Sequence, residues 1–242
     1  MTSDAVLRGT GEPIRPRNGK PGKFWRLPGV YPPQSDTYLL ARTLLGETIE
    51  PGTRVLDIGA GTGYLSVSAA LAGSRNVTAV DVAKRALLNT RLNATLNGVQ
   101  VRTVHGDLTN PLGENNFDLV VSNPPYVPAA DDTLPTAGLA RCWDAGRDGR
   151  AHLDRICSEA PRILAPGGVL LLLQSALSNI DATQRELQRQ GLSAEIVSTA
   201  QIPFGPVLTE RASLLRQRGL LAPGEDREKL VVFRAVKPSG AA

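Results

Sequence analysis

The tetrapeptide Asn123-Pro124-Pro125-Tyr126 joins an amide, two rigid residues and an aromatic ring at the end of the apolar run 117–122. The Asn123 side-chain oxygen and the Pro124 carbonyl can each accept one hydrogen from a planar NH2 group, while the Tyr126 ring can cover an attached π system. Because proline fixes φ, both acceptors are held in place before a ligand binds. A proline-rich turn that only closes a strand is the alternative interpretation.

A glycine-rich loop about sixty residues before this tetrapeptide favours the ligand-binding interpretation over a simple turn. Residues 55–65 read Val-Leu-Asp-Ile-Gly-Ala-Gly-Thr-Gly-Tyr-Leu, which predicts a buried strand, a tight loop and a helix over 65–71. Glycines let the backbone approach a ligand, and the N–H groups of a helix start favour a negative group. The G-x-G-x-G spacing differs from the dinucleotide G-x-G-x-x-G, because Tyr64 occupies the last glycine position, so an oxidoreductase is disfavoured without being excluded.

Acidic residues follow the next two predicted strands, 76–80 and 99–104. Asp81 suits the two hydroxyls of a ribose, and Asp107 suits an exocyclic amine. Each acid alone is more typical of a helix cap or turn. Together with Asp57 and Asn123 they fall on the carboxyl edge of one parallel sheet, where open α/β sheets bind ligands.

These motifs resemble those of class I S-adenosylmethionine-dependent methyltransferases. Two further segments are similar to the short, single-domain HemK-like protein N5-glutamine methyltransferases: residues 31–37 follow Y-x-P-x-x-D-T, and residues 143–150 follow W-x-x-G-R-x-G-R. The resemblance implies an α/β, Rossmann-like class I methyltransferase fold. We therefore expect a seven-stranded, mostly parallel sheet with a C-terminal antiparallel hairpin and helices on both faces.

The resemblance implies S-adenosyl-L-methionine as the cofactor and methyl transfer to a planar nitrogen, above all a glutamine side-chain amide of a protein such as a translation termination factor. The catalytic residues that it implies are Asn123, Pro124, Pro125 and Tyr126. The cofactor-binding residues that it implies are Tyr31, Thr37, Asp57, Gly59, Ala60, Gly61, Gly63, Asp81, Val82, Asp107, Leu108 and Asn123. No metal site is expected. A nucleic-acid base, a protein lysine, a small specialised metabolite and a non-enzymatic scaffold remain as alternatives.

The composition indicates one α/β domain, since 242 residues with 41% hydrophobic content can bury a core without disulfides. We expect a basic, proline-rich flexible arm over 1–30, the domain over 31–238 and a tail over 239–242. A net charge of +4 permits a nucleic-acid partner without demanding one. Short HemK-like enzymes often work with a small activator subunit, so the resemblance also allows such a partner here. No segment resembles a signal peptide or membrane span, which predicts a cytoplasmic protein without a membrane partner.

The C-terminal part predicts a strand over 168–174, a helix over 180–190 that Gly191 ends, and an antiparallel pair over 194–198 and 230–236. The connection within that pair is longer than a hairpin needs and contains a predicted helix over 208–218. This helix either covers the sheet edge or flanks a substrate groove. Cys157 lies on an apolar helix face and is expected in the core, whereas neither Cys142 nor the two histidines carry a catalytic signal.

Overall fold

The structure is a computed structural model that describes residues 22–112 and 117–239. The helices of these residues are α1 Ser35–Leu45, α2 Tyr64–Ala72, α3 Lys84–Leu96, α4 Ala151–Ile163, α5 Ile180–Arg189 and α6 Pro206–Gln217. The strands are β1 Arg54–Ile58, β2 Asn76–Asp81, β3 Arg102–His105, β4 Phe117–Ser122, β5 Leu164–Ser175, β6 Ser193–Pro203 and β7 Arg227–Val236. Short 3-10 helices cover Asn110–Leu112, Leu139–Cys142 and Ala176–Ser178. No helix of the described part is long and apolar enough to span a bilayer.

The strands form one seven-stranded sheet in the order β3-β2-β1-β4-β5-β7-β6. Strands β1 to β5 pair in parallel, and β7 pairs antiparallel with both β5 and β6. The chain moves outward from β1 to β3 and then in the opposite direction from β4 to β5. Right-handed crossovers therefore place α2 and α3 on one face and α4 on the other. The predicted fold class is confirmed, and the reversal between β1 and β4 marks the position where such sheets bind ligands.

The edge strand β6 is longer than the sequence predicts. Strand β6 extends to Pro203, five residues beyond the predicted end, and it alternates between exposed and half-buried positions as an edge strand. Apolar patterning underestimates such a strand, because its polar residues still pair through the backbone. The predicted helix over 208–218 corresponds to α6.

Helix α1 was not predicted as an element, although it carries the end of the Y-x-P-x-x-D-T segment. It buries Leu39, Leu40, Ala41 and Leu44 against the sheet and α2. Its amphipathic face fixes the orientation of the first helical turn. Residues 36 and 37 therefore have a defined position in that turn.

The described part of the predicted N-terminal arm, residues 22–30, is bound to α3 through three asparagines spaced four residues apart. The pairs are Asn97 with Lys23, Asn93 with Trp25 and Asn89 with Leu27. Two helical turns and four extended residues span similar lengths, so asparagines four residues apart in the helix line up with arm residues two apart. Each asparagine amide therefore pairs with the backbone of one arm residue. This end of the expected flexible arm is held by hydrogen bonds, while residues 1–21 lie outside the described residues.

Cys157 is fully buried in α4 beside Leu153 and Ile156, as expected for a core residue. Burial raises the pKa of its thiol to about 12. Cys142 is exposed in the 3-10 helix that precedes Trp143.

Candidate active site

The glycine loop joins β1 to α2 and adopts a conformation that favours glycine. Gly59, Gly61 and Gly63 have φ values of 77°, 57° and 78°. A Cβ added to Gly63 would collide with Thr90 of α3, whereas one added to Gly59 or Gly61 would meet nothing within 4 Å. The loop is therefore packed on its α3 side and open where a ligand would approach.

Asp57 is the last residue but one of β1, and its side chain reaches the first turn of α2. Its Oδ2 accepts hydrogen bonds from the Ser66 amide at 3.0 Å and the Ser66 hydroxyl at 2.5 Å. Its Oδ1 is buried and has no partner among the described residues. Burial raises the pKa of Asp57 to about 7, against the lowering effect of Ser66. A buried carboxylate oxygen without a donor calls for a cationic or hydrogen-bonding ligand.

Asp81 connects the glycine loop to the turn before α3. Its Oδ2 accepts from the Gly61 amide at 2.9 Å, and its Oδ1 accepts from the Ala83 amide at 2.8 Å. Burial raises the pKa of Asp81, although these two bonds lower it. Each carboxylate oxygen has a second lone pair, so both remain able to accept from a diol.

The third predicted carboxylate, Asp107, forms an ion pair that the sequence does not indicate. Its two oxygens lie 3.2 Å and 2.8 Å from the guanidinium of Arg155 in α4. Leu108 has a φ of 50°, and the side chain of Val82 is about half exposed beside Asp81. Because a carboxylate has further acceptor sites, its role toward an exocyclic amine stays a prediction.

These features fit S-adenosylmethionine, the cofactor expected from the sequence. The open glycine backbone leaves space for the methionine moiety, and the unpaired Asp57 oxygen suits its ammonium group. Asp81 suits the ribose, and the exposed apolar surface of Val82 suits a flat ring.

Asn123 follows β4 and has a fixed amide orientation. Its Nδ2 donates to Asp36 Oδ2 at 3.0 Å and to Thr37 Oγ1 at 3.3 Å, both in the first turn of α1. Its Oδ1 is buried and has no partner among the described residues. The acceptor oxygen is thus directed away from α1 and remains available to a nitrogen of the substrate.

Asp36 is a central residue that the sequence interpretation did not single out. Besides Asn123, it accepts a hydrogen bond from the Tyr126 hydroxyl at 3.2 Å. Tyr126 is buried, which raises its pKa well above the usual value. Asp36 therefore fixes both ends of the tetrapeptide, and its place in the Y-x-P-x-x-D-T segment was the available signal.

The rim of the site contains the two segments that resembled the HemK-like enzymes. The Tyr31 ring packs on the Trp143 ring with centroids 5.6 Å apart. Burial first, and then the Asp36 charge, raise the pKa of Tyr31 to about 12. Gly149, at a φ of 74°, lies so close to the Tyr126 carbonyl that a Cβ there would overlap it. The W-x-x-G-R-x-G-R segment thus packs directly on the tetrapeptide.

Glu228 is a second acid that sequence reasoning missed. It starts β7 at the carboxyl edge of the sheet, is 5% exposed, and its Oε1 is buried without a partner among the described residues. Burial and the Asp36 charge raise the pKa of Glu228 to about 7, while a Ser175 hydrogen bond lowers it. Two carboxyl groups therefore lie near the acceptor corner.

The family model described as "Methyltransferase small domain" matches residues 22–138. A putative protein N5-glutamine methyltransferase of Methanocaldococcus jannaschii is 35% identical over 186 residues, covering 76% of this chain and 92% of that protein. The release factor glutamine methyltransferase of Deinococcus radiodurans is 37% identical over 170 residues, covering 68% of this chain but only 58% of that enzyme.

A solved structure of similar fold is the E. cuniculi Mtq2-Trm112 complex, which methylates the termination factor eRF1. It matches with a TM-score of 0.61 and 24% identity, covering 86% of this chain and 99% of that chain. At this identity the likeness concerns the fold, which agrees with the sheet order described above.

Proposed function

The chain belongs to the protein N5-glutamine methyltransferase family and uses S-adenosylmethionine, and from that premise we propose that it methylates a glutamine side-chain amide in a translation termination factor. We also propose the four tetrapeptide residues as its catalytic residues. We likewise propose that the cofactor-binding residues named in the sequence analysis bind S-adenosylmethionine.

One observation carries the proposal: the buried Asn123 Oδ1 has no partner while the Nδ2 of the same amide is held by Asp36 and Thr37. A locked amide of this kind presents an acceptor and no donor. It therefore selects a ligand that carries N–H groups. A primary amide has two such hydrogens in one plane, which suits Asn123 Oδ1 and the Pro124 carbonyl as a pair of acceptors.

S-adenosylmethionine supplies a methyl group activated by its sulfonium. Asn123 Oδ1 and the Pro124 carbonyl would accept the two amide hydrogens and so orient the amide nitrogen toward that group. Positive charge would grow on the nitrogen during methyl transfer, and both acceptors would then bind its hydrogens more strongly. A proton then leaves the nitrogen to water. Asn123 therefore stabilises the transition state more than the ground state.

The experiment is intact-mass analysis of candidate acceptors after incubation with isotopically labelled S-adenosylmethionine. A termination factor of the same source should gain one labelled methyl group, and its variant with the target glutamine changed to alanine should gain none. Labelling of the alanine variant to the same extent contradicts the glutamine assignment.

A protein lysine is the second acceptor class, and one observation favours it. Asp36 and Glu228 place two carboxyl groups near the acceptor corner, an arrangement that also attracts an amine. Paired peptides that differ only in glutamine or lysine at one position separate the classes. Methylation of the lysine peptide alone would replace the glutamine proposal.

A small activator subunit is the further partner that we propose, as in the Mtq2-Trm112 complex. The test is whether a small partner protein of that type, purified from the same source, increases methyl transfer when added at equal concentration. Equal rates with and without it contradict the need for an activator.

A further inference from the structure

The connection between β6 and β7 carries two arginines that reach the chain just after the acceptor corner. Arg211 of α6 donates to the Pro128 carbonyl at 3.1 Å. Arg218, immediately after α6, donates to the Ala129 carbonyl at 2.7 Å and the Ala130 carbonyl at 2.6 Å. Three consecutive carbonyls of one segment therefore accept hydrogen bonds from α6 and the residue that follows it.

The same arginines also hold the second segment of the rim. Arg211 forms an ion pair with Asp144 at 2.5 Å, and both side chains are largely buried. Arg218 donates to the Arg147 carbonyl at 3.2 Å. Both arginines thus bind segments 127–130 and 143–147, which we call the acceptor wall.

The acceptor wall is continuous with the tetrapeptide. Its two segments pair through Val127 and Asp144, and the Ala129 amide donates to Gly146 at 2.8 Å. Tyr126 directly precedes the wall, and its carbonyl accepts from Ser178 Oγ at 2.6 Å. A shift of the wall would therefore move the aromatic residue of the acceptor corner.

Arginine suits this task because the four wall carbonyls that Arg211 and Arg218 bind accept no backbone hydrogen bond among the contacts described. A planar guanidinium donates to two carbonyls at a fixed separation, and it stays charged when partly buried. Lysine offers a single ammonium point and cannot reproduce the fork. The separate contacts of Asp57 and Asp81 hold the cofactor side without these arginines.

We infer that Arg211 and Arg218 are positioning residues for the methyl acceptor, because they fix the acceptor wall, and through it Tyr126, before the acceptor binds. The inference deepens the proposed function and rests on it only for the acceptor's identity. Loss of either arginine should weaken acceptor use and leave cofactor binding nearly intact.

The test compares Arg211→Gln and Arg218→Gln with Arg216→Gln. Arg216 lies in the same helix, is exposed, and donates only to the Glu225 carbonyl at 2.9 Å among the contacts described, so the control removes the same charge. We expect kcat/KM for the acceptor to fall about tenfold or more, mainly through KM, for the first two variants. Calorimetry should show S-adenosylhomocysteine affinity within about twofold of wild type for all three.

Limited trypsin digestion provides a readout that needs no acceptor. Arg141 and Arg147 lie beside or within the acceptor wall, so a released wall should be cut there faster in Arg218→Gln than in Arg216→Gln. Arg218→Lys keeps the charge without the fork and should give an intermediate cleavage rate.

The outcomes for this inference and for the proposed function are separable. If wild type methylates an acceptor other than glutamine, the proposed function fails, and the arginine comparison is made with that acceptor. The inference is overturned if Arg211→Gln and Arg218→Gln match Arg216→Gln in kcat/KM and in cleavage at the wall. If a glutamine variant does not fold, Arg218→Lys decides by the same two measurements.

Discussion

The cofactor side and the acceptor side of the site are assembled from contacts of different range. On the cofactor side Asp57 and Ser66 are 9 residues apart, and Gly61 and Asp81 are 20 apart. On the acceptor side Asn123 and Tyr126 are 87 and 90 residues from Asp36. One side is therefore formed by a local strand, loop and helix, and the other only when distant elements pack.

This difference indicates how the two sides respond to change. The cofactor side relies on glycine conformations and backbone N–H groups, which few side-chain replacements alter. The acceptor side relies on side chains of α1, α6 and β7, so replacements there can change the acceptor while the cofactor still binds. Methyl transfer and cofactor affinity should consequently be separable by mutation.

The largest effect is expected from Asn123→Ala, on the acceptor side. The substrate nitrogen loses an acceptor that strengthens as charge develops, so the single-turnover rate should fall about a hundredfold or more. S-adenosylhomocysteine affinity, measured by calorimetry, should change by less than about threefold. A rate within about threefold of wild type would make the tetrapeptide a structural corner only.

On the cofactor side, Asp81→Ala should produce the opposite pattern. It removes the charged acceptor that we propose for the ribose hydroxyls, together with the hydrogen bond from the Gly61 amide. These losses should cost about 2 kcal/mol, or roughly thirtyfold in cofactor affinity. Calorimetry measures the affinity, and Asp81→Asn, which keeps one oxygen, serves as the control. Unchanged affinity in folded Asp81→Ala contradicts the assignment.

Asp36→Ala tests the hydrogen bonds through which Asp36 orients Asn123 and Tyr126. Without Asp36, the Asn123 amide keeps just the contact to Thr37 and Tyr126 loses its hydroxyl partner, so the methyl-transfer rate should fall about tenfold with cofactor affinity unchanged. Single-turnover kinetics and calorimetry measure both quantities. Asp36→Asn retains one acceptor oxygen and should lie between the two. Equal rates for all three proteins would exclude a positioning role.

The range of the contacts also explains which features the sequence predicted. Continuous apolar runs that end in acidic residues predicted a parallel sheet, because strand and loop signals are local, and the family resemblance implied its seven strands. The hydrogen bonds that Asp36 accepts from Asn123 and Tyr126 were not predicted, since nothing local in the 31–37 segment shows which residue faces Asn123. The seven-stranded sheet was therefore accessible from sequence, and the side-chain partners were not.

Glu228 and Arg218 illustrate the same limit. Glu228 stands in the polar run Arg-Glu-Lys, which is typical of an exposed strand end, yet Ser175 and the neighbouring strands bury it. The contacts of Arg218 with Ala129 and Ala130 span 89 and 88 residues. Burial and partner choice of this kind depend on packing between elements, which no local pattern encodes.

The smallest effect is expected on the pH dependence of stability, to which a buried acid on each side contributes: Asp57 and Glu228. Each has a folded-state pKa raised to about 7. The folded state therefore binds more protons than the unfolded state between the ordinary pKa and that value, so stability falls as pH rises through this window. Glu228→Gln removes one contribution and should reduce the loss between about pH 5 and about pH 8 by on the order of 1 kcal/mol.

Urea denaturation at several pH values measures this difference, and S-adenosylhomocysteine separates the two acids. In the proposed site the ligand's ammonium group would give the free Asp57 oxygen a partner, so bound ligand should reduce the pH dependence that remains in Glu228→Gln. It should leave the contribution of Glu228 in the wild-type protein unchanged, because that residue lies on the acceptor side. Parallel stability curves for wild type and Glu228→Gln would mean that Glu228 titrates alike in the folded and unfolded chains.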